Sequence, residues 1–264
     1  QSGAFSNVIN LFSGSESRFP LEFGKNILVV LENEDNLKNL SESEFYTRNT
    51  KATSLLVLTR EDLFDNNLES TDDTFKAILK DQEFEMHLKN KISTKDIESF
   101  VSDSSIGTIF YPVVEGMSKS KIKSLINISN KSNTPVLFSK STYPYKTIGI
   151  LINNDFGESS SNSISFDLAS SLSASLTAVN VSQPKFLQSE ESSKVSDSIE
   201  KLQDLALSHE VQLDLENEEG NEAKIFSELS NKFDLSVIST GTNQSWQSRK
   251  TIEFIASNSK SSVL

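Results

Sequence analysis

An internal repeat constrains the fold of this chain more than any other feature of its sequence. Residues 25–32 recur as residues 146–153, an offset of 121 positions. Each copy contains a short, continuous run of Ile, Leu and Val, which is typical of a strand buried on both faces of a parallel sheet. A second apolar segment follows each copy, at residues 54–59 and 176–181. The chain therefore contains two similar units, each opening with two buried strands.

Helical patterns alternate with these strands in both units. In the second unit Ile164, Leu168 and Leu172 recur at helical spacing, and residues 189–208 carry one apolar stripe opposite a polar face. Three more strands are predicted in each unit, at residues 83–88, 107–111 and 135–138 and at residues 211–215, 235–239 and 262–264. Each unit reads β-α-β-α-β-α-β-α-β. This order predicts an α/β, Rossmann-like fold, a five-stranded parallel sheet with helices on both faces.

The repeat predicts two tandem domains rather than one continuous sheet. The first spans residues 23–140 and the second residues 141–264, with the boundary in the connector at residues 139–146. Residues 1–22 are polar and rich in Ser and Gly. That composition predicts a linker or docking arm ahead of the first domain.

The net charge and hydropathy of the chain limit the classes of molecule that it can bind. The formal net charge is −12 and the sequence pI about 4.7, so the surface repels nucleic-acid phosphates and anionic lipid headgroups. The sequence has no apolar run of about 18 residues, the length that a membrane-spanning helix needs, and no signal peptide is visible. We therefore expect no nucleic-acid partner, no membrane insertion of this segment and a cytoplasmic location.

The sequence offers no constellation for catalysis or for metal binding. It contains no Cys, which excludes thiolate nucleophiles, thiolate metal sites and disulfides. Its two histidines, His87 and His209, lie far apart in sequence, and no Gly-x-Ser-x-Gly elbow accompanies them. We therefore expect no catalytic residues, no metal and no enzymatic activity.

The order of elements resembles the universal stress protein family. In the second unit, residues 146–153 look like the first strand of that family, which commonly ends in aspartate, and residues 233–241 are similar to its fourth strand, an aspartate and an apolar run that end at a glycine. Residues 132–138 and 259–264 resemble its closing strand. The resemblance covers residues 23–264. It rests on the order and spacing of these elements, which occur in both units. It implies two adenine-nucleotide-alpha-hydrolase-like domains that pack as an internal pseudo-dimer, and a homodimer is a further expectation.

A narrower resemblance concerns domains appended to transporters. Residues 241–246 and 23–33 look like segments of the paired universal-stress-like domains at the C-terminus of bacterial monovalent cation:proton antiporters. Those domains follow the membrane part through a polar linker, a role that residues 1–22 would fit. The resemblance implies a membrane transporter domain upstream of residue 1 in the same polypeptide. This segment would then lie on the cytosolic face of an inner-membrane protein.

Nucleotide-binding members of the family use a loop of the form Gly-x2-Gly-x9-Gly-(Ser/Thr). Its glycines let backbone N–H groups approach the phosphates, beside a helix N-terminus that favours negative charge. Here Gly241 takes the first position, Gln244 stands in place of the second glycine, and Arg249 and Lys250 lie near the final pair, where they could contact an anion through their charged donors.

The family's ribose-binding aspartate is replaced by Asn153, with Asp155 two residues on, and Glu32 holds that place in the first unit. ATP or another adenine nucleotide is the ligand class that the resemblance implies. The candidate ligand-binding residues are Asn153, Asp155, Val179, Gly241, Thr242, Arg249 and Lys250.

Three functions are consistent with these observations. The first is a non-catalytic regulatory or sensor module, the cytosolic C-terminal region of a cation:proton antiporter or related transporter. The second is a free-standing tandem universal stress protein that binds a nucleotide through a degenerate site near Asn153, Val179 and Gly241. The third, an ATP-dependent enzyme of the wider superfamily, requires a glycine-rich loop after the first strand, and residues 32–35 and 153–157 do not provide one.

Overall fold

The structure is a computed structural model. It describes residues 26–33, 36–50, 52–63, 68–80, 82–114, 117–152, 160–183, 192–238 and 246–264. The predicted linker or docking arm lies outside the described residues.

Strands and helices alternate along both halves of the chain, as the sequence predicts. The first half contains β1 (Asn26–Leu31), α1 (Leu37–Arg48), β2 (Ser54–Arg60), α2 (Leu68–Leu79), β3 (Glu83–Lys89), α3 (Thr94–Asp103), β4 (Ile106–Pro112), α4 (Lys119–Ser132) and β5 (Val136–Ser139). The second half contains β6 (Thr147–Leu151), α5 (Ser160–Leu172), β7 (Ser175–Ser182), α6 (Ser192–Ser208), β8 (Leu213–Glu219), α7 (Glu222–Leu229), β9 (Leu235–Ile238), α8 (Trp246–Asn258) and β10 (Ser262–Val263).

Capping residues determine where several helices begin or end. Ser93 and Asp96 form a reciprocal capping box at the start of α3, and the Asn221 side chain accepts from the Lys224 N–H at the start of α7. Helix α4 ends at Asn133, which adopts the left-handed conformation that Asn tolerates at such ends. Local polar residues therefore fix boundaries that apolar periodicity leaves open.

The strands form one ten-stranded sheet in the order β3-β2-β1-β4-β5-β10-β9-β6-β7-β8. Strand pairs within each half are parallel, and the halves meet where β10 pairs with β5 in antiparallel fashion, Val263 opposite Phe138. The prediction of two separate five-stranded sheets was therefore wrong. The physical reason is that β5 and β10 would each be an edge with unpaired N–H and C=O groups, and joining them removes both edges.

Each face of the sheet carries one hydrophobic core that includes residues from both halves. Alternate side chains of β1 divide between the faces: Ile27, Val29 and Leu31 join one core, and Leu28 and Val30 the other. The first core is covered by α1, α2, α5 and α6, and the second by α3, α4, α7 and α8. Because neither core stops at the junction, apolar burial holds the two halves together.

A buried carboxylate from α1 lies at the centre of the junction. Glu42 is fully buried, and it accepts hydrogen bonds from the Ser139 and Ser262 hydroxyls at 2.5 and 2.6 Å, the Ser141 N–H at 2.7 Å and the Tyr145 hydroxyl at 2.6 Å. Burial, and then the Glu42 carboxylate, raise the pKa of Tyr145 well above its ordinary value, so its hydroxyl remains a donor. All four donors belong to β5, the connector or β10. Glu42 thus ties α1 to both strands of the junction.

Lys140, which follows β5, occupies an unfavourable position for a charged amine. Its Nζ donates to the backbone carbonyl of Ser259, in the turn before β10. Burial, and then the charge of Lys260, lower the pKa of Lys140 to about 8. The protonated amine is therefore better accommodated in the unfolded chain than in the folded one.

This shift predicts a pH dependence of stability. Because the folded pKa lies below the unfolded value, stability is reduced below pH 8 and recovers as pH rises toward the unfolded pKa. We expect the free energy of unfolding to rise by about 1–2 kcal/mol between pH 7 and pH 9.5, and Lys140→Gln to remove that rise. Denaturant unfolding at a series of pH values measures it. A flat wild-type profile, or an equal rise in the variant, would contradict this assignment.

Candidate functional site at the carboxyl ends of the strands

The strand order gives each half one switch point, the place where open α/β sheets form a ligand crevice. Strand β1 lies between β2 and β4, and β6 lies between β7 and β9. The helix after β1 covers one face of the sheet and the helix after β4 covers the other, and α5 and α8 diverge in the same way from β6 and β9. In open α/β sheets, ligands bind at the carboxyl ends of the strands where the helices diverge.

Three charged or polar side chains meet at this point in the first half. Glu32 directly follows β1, Tyr111 lies near the end of β4, and Lys121 lies in the first turn of α4. The Lys121 Nζ lies 2.7 Å from Glu32 Oε1, and the Tyr111 hydroxyl donates to the other carboxylate oxygen. The same ammonium lies 6.0 Å from the centroid of the Tyr111 ring. Tyr111 and Lys121 thus share the Glu32 carboxylate, and the three side chains form the Glu32 cluster.

The Glu32 cluster is well shielded from solvent. The side chains of Glu32 and Lys121 are 20% and 22% exposed, and Tyr111 is buried. Burial, and then the neighbouring Glu32 carboxylate, raise the pKa of Tyr111 far above its ordinary range, which keeps the hydroxyl protonated. A shielded ion pair with a second, hydrogen-bonded donor holds its geometry better than an exposed pair. At the crevice of the first half, the charges of Glu32 and Lys121 are therefore already matched by one another.

Arg60, at the end of β2, is also engaged at this edge. Its guanidinium donates to both carboxylate oxygens of Asp62, at 2.9 Å for the Nε contact, and to the backbone oxygen of Glu32 at 3.4 Å. The positive charges of Arg60 and Lys121 are therefore both matched by carboxylates of the same half. Neither is left as an unmatched cation for an anionic ligand.

The corresponding positions of the second half carry neutral residues. The β1–β4 register pairs Val29 with Phe110, and the β6–β9 register pairs Ile150 with Val237, so Tyr111 corresponds to Ile238. Lys121 is the third residue of α4, and the third residue of α8 is Ser248. In the repeat, Glu32 corresponds to Asn153. The second half therefore lacks the residue types that make up the Glu32 cluster.

The predicted ligand residues fall into two groups. Asn153, Asp155, Gly241 and Thr242 lie outside the described residues. Val179 is buried in β7 opposite Leu151, and it accepts the Ile152 N–H at 2.9 Å through its backbone oxygen, so its side chain belongs to the core.

Arg249 and Lys250 are exposed near the start of α8, and Lys250 Nζ lies 3.8 Å from a Glu253 oxygen. They lie on the helix that follows β9, as the loop comparison in the sequence suggests.

Sequence reasoning placed Glu32 at this edge but missed Tyr111 and Lys121. Glu32 lies 79 and 89 positions from these partners, so no local pattern joins them. The available signal was a Tyr at the end of the fourth strand and a Lys in the following helix turn, with no counterpart in the second copy of the repeat.

Neither histidine contributes to these crevices. His87 lies 3.0 Å from Glu85 and packs against Phe100, and His209 packs against Phe166. Within the described ranges, no three His, Cys, Asp or Glu side chains are grouped to hold a metal ion. None of the helices described has the length and hydropathy needed to cross a bilayer.

Comparison with known proteins establishes the fold. No family model matches the sequence, and no curated protein matches it either. Among solved structures, a protein of Pseudomonas aeruginosa UCBPP-PA14 assigned to the universal stress proteins is similar at a TM-score of 0.63 and 18% identity, covering 91% of this chain and 92% of that one. A universal stress protein from Archaeoglobus fulgidus DSM 4304 is similar at 0.57 and 12%, covering 89% and 94%.

The cytoplasmic domain of a prokaryotic cation chloride cotransporter is similar at a TM-score of 0.58 and 14% identity, covering 91% of this chain and 94% of that domain. At these identities the likeness shows the architecture alone. The chain thus has an α/β fold like that of universal stress proteins, with a mostly parallel sheet.

Proposed function

We propose that this chain is a non-catalytic regulatory module that binds a small ligand at the crevice of its second half. An adenine nucleotide is the ligand class that the family resemblance favours. The observation that carries the proposal is the contrast between the crevices. The mutually bonded Glu32 cluster lies at the first, and its counterparts in the second are Asn153, Ile238 and Ser248.

Charge supports the second crevice over the first for an anionic ligand. In the first half the Glu32 carboxylate would repel phosphates, and it already neutralises Lys121. In the second half the corresponding residue is the neutral Asn153, and α8 carries the exposed Arg249 near its start, beside Lys250, which lies 3.8 Å from Glu253. A phosphate-bearing ligand gains favourable electrostatics only at the second site.

The continuous sheet supports a reporting role. Strand β9, at the second crevice, pairs with β10, which pairs with β5, and β5 pairs with β4, which carries Tyr111. A displacement at the carboxyl end of β9 would therefore shift β10 and β5, the two strands whose residues donate hydrogen bonds to Glu42. We propose that ligand binding is communicated to an attached or bound protein through this junction.

The thermal stability of the purified chain with ATP, ADP, AMP and cyclic dinucleotides tests ligand binding. A ligand at 100 times its Kd adds about 2.7 kcal/mol, which for a chain of this size raises Tm by about 5–10 °C. We expect one nucleotide to do so, and Gly241→Leu to abolish the shift because a bulky residue blocks backbone approach to phosphate. If no nucleotide raises Tm, the chain is not a nucleotide sensor. The regulatory module would then act through contacts with another protein.

The non-catalytic assignment has its own test. Incubation of the chain with ATP and measurement of released phosphate should give no turnover above buffer. Phosphate release that disappears in Asp155→Ala would instead support an ATP-dependent enzyme.

For the host protein, we propose the cytosolic region of a transporter, a cation:proton antiporter by the sequence resemblance. The match to the cytoplasmic domain of a cation chloride cotransporter, over 94% of that domain, supports such a setting. The alternative is a free-standing tandem universal stress protein. Apolar spans encoded immediately upstream of Gln1 in the complete gene would support the transporter setting, and a complete gene without them would support the alternative.

A further inference from the structure

We propose that a second copy of this chain pairs with β3, so that two molecules join their sheets in an antiparallel, twofold-symmetric dimer. The sheet ends at β3 and β8, because β5 and β10 pair with each other at the junction. Strand β3 pairs with β2 along its whole length, and no strand among the described residues pairs with its other side. Alternate N–H and C=O groups of β3 therefore point away from the sheet, where another strand can bind them. This proposal does not depend on nucleotide binding.

The polar face of β3 is complementary to itself when two copies run antiparallel. In a pairing centred on Met86, Glu83 lies opposite Lys89 of the second copy. Glu85 then lies opposite His87 of the second copy, whose ring can donate a hydrogen bond to the carboxylate. Each pair occurs twice because the arrangement is symmetric. Opposite charges directly across an antiparallel pair stabilise it, so this face favours the pairing of two copies.

The opposite face of β3 carries three apolar side chains, Phe84, Met86 and Leu88. In the same register Phe84 lies opposite Leu88 of the second copy, and Met86 lies opposite its own equivalent. All three are only half-buried in one molecule, and Phe84 is held against Phe75 of α2 with ring centroids 6.1 Å apart. Pairing would bury them further, which adds apolar contact to the backbone hydrogen bonds of the new strand pair.

The register centred on Met86 is the one that matches every residue of β3. A twofold axis between antiparallel strands is perpendicular to the sheet, so it keeps each side chain on its own face and passes through a residue position. Centring the pair on Glu85 would place that carboxylate opposite its own equivalent. Centring it on His87 would leave Glu83 beyond the paired segment. The charges of β3 therefore select one register.

The other end of the sheet lacks this complementarity. Strand β8 carries Asp214, Glu216, Glu218 and Glu219 and no basic residue, so two copies of it would bring carboxylates together. Charges of one sign protect an edge strand from pairing, whereas β3 is acidic in its first half and basic in its second. Each molecule would use β3 once, so the assembly closes at the dimer.

Sedimentation velocity of the intact chain over a range of concentrations tests the proposal. We expect a monomer–dimer equilibrium, weakened about tenfold by Glu83→Lys, because both Glu–Lys pairs become Lys–Lys pairs. Glu83 is exposed, so the variant should fold normally, which its circular dichroism and Tm check. The matched control is Glu219→Lys, which makes the same charge change at an exposed position of β8 and should leave the dimer unchanged.

A mixture of two charge-reversal variants tests the register itself. Lys89→Glu alone should also weaken the dimer, although it removes an exposed contact of 3.5 Å with Asp96 as well. Mixing the Glu83→Lys and Lys89→Glu chains should restore association as heterodimers, in which both cross-strand pairs again join opposite charges.

A wild-type chain that stays monomeric up to about 100 μM would overturn the proposal. So would a dimer that Glu83→Lys leaves intact or that Glu219→Lys weakens equally. A mixture of the two charge-reversal variants that fails to associate, or a wild-type chain that forms assemblies larger than a dimer, would overturn it as well.

Discussion

Replacing Glu42 with alanine is expected to lower the free energy of unfolding by about 3–5 kcal/mol. The change removes the acceptor for three hydroxyls and one backbone N–H, all buried or partly buried at the junction of the two halves. Each buried donor left without a partner costs about 1–3 kcal/mol, offset in part where a hydroxyl rotates to another acceptor. Denaturant unfolding followed by circular dichroism measures the loss.

Two variants control this prediction. Glu42→Gln preserves the size of the side chain but presents an NH2 group to two of the donors, so it should cost roughly half as much. Glu98→Ala removes a carboxylate that is 41% exposed and 3.8 Å from Lys131, and it should change stability by less than about 1 kcal/mol. If Glu42→Ala costs no more than Glu98→Ala, the buried carboxylate does not hold the junction.

A methyl group added at Gly149 is expected to destabilise the second half by about 3 kcal/mol. Gly149 lies in β6, and a Cβ built there would lie 2.3 Å from two ring carbons of Phe233. That ring is buried and packs against Phe226 at a centroid distance of 6.4 Å, so it has no open space to move into. Gly149→Ala should therefore shift the denaturation midpoint strongly, and Gly149→Val still further.

A double-mutant cycle with Phe233→Leu isolates the cause. Leucine lacks the ring carbons that the new methyl group meets, so Gly149→Ala should cost much less in the Phe233→Leu background. An equal cost in both backgrounds would mean that the contact with Phe233 is not responsible.

Most strands were predictable because a strand buried on both faces of a sheet needs apolar side chains on both, which gives a continuous apolar run in the sequence. The predicted strand at residues 54–59 corresponds to Ser54–Arg60, and the one at residues 135–138 to Val136–Ser139. Helix α1 was harder, since its segment is poor in apolar residues. The structure buries Glu42, Ser43 and Thr47 within it through hydrogen bonds, which apolar periodicity does not detect.

Contacts between distant parts of the chain were not predictable. The antiparallel pairing of β5 with β10 leaves no local pattern, and the Glu42 bonds span 97 to 220 positions. The same holds for the candidate site, where the repeat located Glu32 but could not indicate that Tyr111 and Lys121 reach it. The repeat identifies equivalent positions in the two halves. What a residue difference at such a position does depends on the side chains that contact it, and these are known only from the structure.

Calorimetric titration of the intact chain with the nucleotide that gives the largest thermal shift measures how many ligand sites the chain has and in which half they lie. We expect one site per chain, weakened at least tenfold when Arg249 and Lys250 are both changed to Ala. The matched change in the first half is Lys123→Ala, at the position of α4 that corresponds to Lys250, and it should leave the affinity unchanged. Two equivalent sites would contradict the proposal that the ligand binds in the second half and not in the first. So would loss of binding in Lys123→Ala with binding retained in the double variant.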